Sequence, residues 1–162
     1  MTLTINTPAA RVERAFKKLS AAAETLNSAS DDLSKRIAPL DAAFKKLGLG
    51  VAAWVTISGN VDGSEWWSRD LGYARVNGKW GIALRDISGD YQDPNNDDRE
   101  TWHFNEAPRW LRIDGSAKLP DLLEKLLEQT EDTTKKVRAR AVQVAELAEI
   151  VTNLAASNTE QK

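Results

Sequence analysis

Apolar and small residues from Val12 onward fall at Val12, Phe16, Leu19, Ala23, Leu26, Ser30, Leu33, Ile37, Leu40, Phe44 and Leu47, in alternating steps of four and three. That spacing keeps one side of an α-helix apolar and predicts a helical region over 7–47. Thr7 and Pro8 suit an N-cap and first helical position, and Gly48 and Gly50 supply the stop. Pro39 and the weak helix formers Asn27, Ser28 and Ser30 interrupt the run. The phase survives both places, which favours one kinked helix over a helical hairpin, the alternative. Leu123, Leu127, Thr130, Thr134, Val137, Ala141, Val144, Ala148, Val151 and Ala155 repeat the rhythm and predict a second long helix over 116–156, with a frayed tail at 157–162.

Between them the period changes to two. Asn77 and Gly78 separate two alternating runs and predict a two-residue β-hairpin that pairs Val76 with Lys79, Arg75 with Trp80, Tyr73 with Ile82, Leu71 with Leu84 and Asp70 with Arg85. Leu71, Tyr73, Trp80, Ile82 and Leu84 share the face expected to be core, while the opposite face carries only Gly72, Ala74, Gly81 and Ala83. Val51–Ser58 reads as a further strand and Thr101–Phe104 as a fourth, and 106–113 suits a short helix or a strand equally.

These elements make one α+β domain over 1–162: a small Trp-rich antiparallel β-meander, as a head over 48–115, between long N- and C-terminal helices that pair as an antiparallel helical stalk. Two helices of roughly 55–60 Å, at 1.5 Å per residue, outreach a compact domain of this size.

Composition narrows the function. With 22 Lys and Arg against 24 Asp and Glu, the net charge of −2 argues against nucleic acid as a partner. The absence of cysteine removes thiol nucleophiles and thiolate metal sites, and one histidine cannot build a histidine metal cluster. No apolar stretch is long enough for a membrane span and no secretory signal is seen, so a cytoplasmic location is expected.

Candidate chemistry is sparse. Asp93, Asn95 and Asp97 match the first, third and fifth positions of a calcium loop, but Asp98 stands where glycine is needed and Phe104 where a bidentate glutamate is needed. The 90–100 stretch is therefore expected to be a solvated turn. His103, between Trp102 and Phe104, has no catalytic motif beside it, and Lys135, Lys136, Arg138 and Arg140 read as a solvated helix face. No cofactor is implied, and no catalytic or metal residue stands out.

What does stand out is association machinery. All six tryptophans lie between Trp54 and Trp110. Alternation sends Trp67 and Trp80 to the core and Trp66 to the flat face, where Trp66, Gly72, Ala74 and Val76 form a candidate partner-binding surface unless a helix of the chain covers it. Val144, Leu147, Ile150, Val151 and Leu154, with Val12, Phe16 and Leu19, offer more apolar surface than one facing helix covers and form a candidate homo-oligomer interface. The expected function is a non-enzymatic interaction module that associates with itself and with a second protein. Rival readings are a metal-dependent hydrolase using the 90–100 stretch with His103, and a carbohydrate or nucleotide binder stacking its ligand on Trp66 or Trp67.

Overall fold

The computed structural model describes residues 7–159, in the order α1 (Pro8–Leu47), β1 (Ala53–Asp62), β2 (Glu65–Val76), β3 (Lys79–Asp90), β4 (Asp93–His103), a 3₁₀ turn at Phe104–Glu106, α2 (Arg109–Ser116) and α3 (Leu119–Thr159). The class is α+β: a long N-terminal helix, a four-stranded antiparallel sheet in the order β1-β2-β3-β4, and a long C-terminal helix.

α1 is one helix with Pro39 inside it. The Thr7 hydroxyl accepts from the Ala10 amide at 3.3 Å, and Gly48 closes the far end at φ 58°. The β2–β3 hairpin has the register the Asn77–Gly78 turn dictates, from Val76↔Lys79 to Asp70↔Arg85, with Asn77 and Gly78 at φ 48° and 83°.

Leu71, Tyr73, Ile82 and Leu84 meet Ile37 and Phe44 of α1, Leu111 of α2, and Leu122 and Leu126 of α3 in a single core on one face of the sheet. Phe44 stands edge-on to Tyr73 at 5.7 Å, and Trp80, half-buried, stacks on the same ring at 5.5 Å. Beyond the end of β4, where β3 has no strand beside it, Asp41 accepts the Ile82 amide at 2.7 Å and holds Lys45 at 2.7 Å. A helix side chain thus satisfies a strand donor that the ladder leaves open.

Three expectations need correction. The 90–100 stretch is not a turn: only Tyr91 and Gln92 turn, and Asp93–His103 is strand β4, paired with β3. An edge strand held by its ladder needs no apolar side chains, and Pro94 with flanking carboxylates guards a free edge against further pairing. The 106–113 stretch, which suited helix or strand equally, is the end of the 3₁₀ turn and the start of helix α2. The long helices do not lie along one another as a stalk within the chain, because α1 packs on β3 while α3 packs on β1 and β2. Each is occupied with the sheet over only part of its length, so residues 8–29 and 134–158 project with little cover. α3 continues through Ser157 to Thr159, and the remainder of the proposed frayed tail lies outside the described residues.

Candidate functional site

α3 carries two apolar stripes, and only one is used. Leu122 and Leu126, 0% and 4% exposed, face the sheet. Leu123 and Leu127, one position further round the helix, are 47% and 61% exposed and begin the heptad run that continues through Val137, Val144 and Val151. A one-residue offset is a rotation of about 100° on a helix of 3.6 residues per turn, so the core and the heptad seam occupy different sides of α3. The seam is therefore exposed at Leu123 and Leu127 and again from Thr134 outward, with Thr130 half-buried between them.

α1 differs. Its seam and its core stripe coincide: Leu33, Ile37, Leu40 and Phe44 pack into the core, and the same line runs outward as exposed Leu26, Leu19, Phe16 and Val12. Two of the weak helix formers that read as a possible break, Asn27 and Ser30, are acceptors for α2. Arg109 donates to Asn27 at 2.7 Å, and Arg112 donates to Ser34 at 2.7 Å and Ser30 at 3.3 Å. The eight residues proposed as an oligomer interface, Val144, Leu147, Ile150, Val151, Leu154, Val12, Phe16 and Leu19, are all between 56% and 68% exposed.

Among the described residues no helix packs on the opposite face of the sheet: Ile37, Phe44, Leu111, Leu122 and Leu126 all join the core on the other side. Its glycines are seats for indoles. A Cβ on Gly72 would overlap the ring of Trp54, its β1 partner, and a Cβ on Gly89 would overlap Trp66, its β2 partner. A tryptophan laid over a cross-strand glycine shields the bare backbone there. Arg85 covers the outer side of Trp54, 4.1 Å from the ring centroid, and donates to the buried Asp70 at 2.6 Å, which also accepts from Ser68 at 2.7 Å. His103 lies against Gly81, with Nε2 3.1 Å from the Val76 carbonyl.

These side chains decide the fate of the proposed partner surface. Gly72, beneath Trp54, and Ala74 and Val76 are buried, while Trp66 is half-buried at the other end of the face, 6.2 Å from the Tyr91 ring. The structure thus separates Trp66 from the three residues grouped with it. Trp67, on the helix side, is capped by Arg69 at 4.6 Å, and Trp110 covers the same guanidinium at 4.6 Å.

A cleft of about 400 Å³ lies at the outer end of the sheet, lined in part by Asn60, Asp62, Glu65, Trp67, Ser88 and Asp90. Its three carboxylates oppose a phosphate, so a nucleotide is a poor match. The Asp90 carboxyl is held below its ordinary range by the Gln92 amide and the Ser64 hydroxyl. Asp93 accepts from the Asn95 amide at 3.2 Å as part of its own turn, and among the described residues no group of three or more His, Asp or Glu could hold a metal ion. His103 ends the strand that Asp93 begins, on the order of 30 Å away at 3.3 Å per residue, and even Asp97 is about 20 Å from it, so Asp93, Asn95 and Asp97 do not share a site with the imidazole.

No family model, curated protein or solved structure matches the chain. No helix among the described residues is long and apolar enough to cross a membrane.

Proposed function

We propose that the protein is a non-enzymatic self-associating module in which the sheet head fixes two long helices and the α3 seam joins one copy to another. The observation that carries this reading is the unused second stripe on α3. Leu123, Leu127, Val137, Val144 and Val151 keep heptad spacing and are 47–63% exposed. Contiguous exposed apolar surface of this length marks an interface. The helix-free face of the sheet, with Trp66 at its outer end and Val61 exposed beside it, is left as the surface for a different protein.

Light scattering tests the self-association. The expected mass is at least twice the 17.9 kDa of one chain at micromolar concentration. Val144→Asp combined with Val151→Asp should give a monomer whose sheet melts as in the parent. A parent that is monomeric at about 50 μM, well above the micromolar affinities typical of specific association, would refute the proposal.

A further inference from the structure

Between Lys135 and Ala155 the exposed half of α3 is asymmetric in charge and regular in size. Lys135, Lys136, Arg138 and Arg140 precede Gln143, and Glu146 and Glu149 follow it. The seam alternates Val137, Val144 and Val151 with Ala141, Ala148 and Ala155. A second copy laid parallel would set the cationic stretch against its own like and would alternate Val–Val layers with Ala–Ala layers, which cannot be equally well packed at one interhelical distance.

Turning the second copy antiparallel removes both conflicts. With the twofold axis between Val142 and Gln143, Ala141 meets the partner's Val144 and Val137 meets the partner's Ala148. Each of these layers then has one larger and one smaller side chain. The same register sets the cationic segment 135–140 at the level of the partner's 145–150, which carries Glu146 and Glu149. We propose that α3 pairs antiparallel with α3 of a second copy about this axis, a step that rests on the self-association reading above.

α1 is the weaker candidate for the occupant. A helix following its seam from Val12 meets α2 at Asn27, where Arg109 and Arg112 close over the line. The α3 seam is exposed at Leu127, Val137, Val144 and Val151, a span of about 36 Å at 1.5 Å per residue. An isologous contact also requires one surface complementary to itself, which the opposed charges of α3 supply.

The chain has no cysteine, so introduced thiols report one contact each. Thr134 lies opposite the partner's Val151 in the proposed register, whereas two copies of Val151 lie about 25 Å apart along the axis at 1.5 Å per residue. A mixture of Thr134→Cys and Val151→Cys chains should form a disulfide-linked dimer on oxidation, at least about tenfold faster than either variant alone, because thiol–disulfide chemistry needs close approach. Rapid crosslinking of Val151→Cys with itself would mean a parallel pair and overturn the inference. Crosslinking of Val12→Cys to Val151→Cys between copies, in place of the Thr134 product, would make α1 the occupant and overturn it too. In both cases a dimer mass by light scattering leaves self-association standing, whereas a monomer removes both.

Discussion

Leu122 and Leu127 lie on one helix, within two turns of each other, yet Leu122 is fully buried and Leu127 is 61% exposed. The two-stripe reading of α3 predicts opposite behaviour on truncation. Leu122→Ala removes three carbons from the core, where Leu71, Leu84 and Leu111 have no solvent to fill the gap. At about 0.8 kcal/mol per methylene equivalent plus a cavity contribution, the cost is about 3–4 kcal/mol. It is the same at every protein concentration, because the contacts lie within one chain. Leu127→Ala gives up only the covered part of its side chain to the head, about 1 kcal/mol, and the remainder of its effect arises through the interface. Urea unfolding at about 1 μM and 100 μM separates the two. Leu122→Ala should shift both midpoints equally, and Leu127→Ala should shift mainly the midpoint at the higher concentration. Equal, concentration-independent losses in the two variants would refute the two-stripe reading.

Other residues offer independent checks. Gly72→Ala should destabilise by about 1–3 kcal/mol, since the added Cβ overlaps Trp54 and backbone as well as ring must shift; a thermal melt like the parent's would disprove the seat on Gly72. Arg85→Met should cost about 3 kcal/mol because it strands the buried Asp70 carboxylate, and Asp70→Asn in the same chain should recover part of that loss in denaturant titrations. Burial, with the nearby Asp41 carboxylate adding to it, pushes the Tyr73 phenol above its ordinary value of 10.0 while Lys45 acts against the shift. A raised pKa in the fold favours the neutral phenol there, so this stabilisation is complete below pH 10 and is lost as pH rises through the folded value. Tyrosinate absorbance of a Tyr91→Phe chain should show Tyr73 ionising only above pH 10, and ionisation below that would contradict it.

The hairpin and the helices were legible because their signals are local. Asn77–Gly78 dictates a turn with positive φ at both residues, and the two-residue loop dictates every pair from Val76↔Lys79 outward. Thr7, Pro8 and Gly48 likewise bound α1 through their own backbone preferences. Of β4 only the end at Thr101–His103 was legible; Asp93–Glu100 was missed because its evidence is not local: the strand exists through ladder bonds to β3, and its side chains there, solvated, follow no apolar alternation. The same limit hid the seats of Trp54 and Trp66, since a glycine's place beneath an indole depends on which strand lies alongside.

Helix pairing illustrates a different limit. The heptads of α1 and α3 are alike on paper, and an intramolecular stalk was the simplest way to bury both. The chain Leu119-Pro-Asp-Leu122-Leu123-Glu-Lys-Leu126-Leu127 nevertheless contains two interleaved stripes, Leu119, Leu122 and Leu126 against Leu123 and Leu127. Periodicity records both and does not say which one a sheet will take. Sheet burial settles it, and α1 shows the alternative outcome, in which Ile37 and Phe44 spend the heptad line itself on the core. On α1 only the stretch outside Asn27 remains for a partner, whereas α3 keeps a complete seam beside a complete core stripe. That difference, and not the shared heptads, makes α3 the helix on which an association interface should be sought.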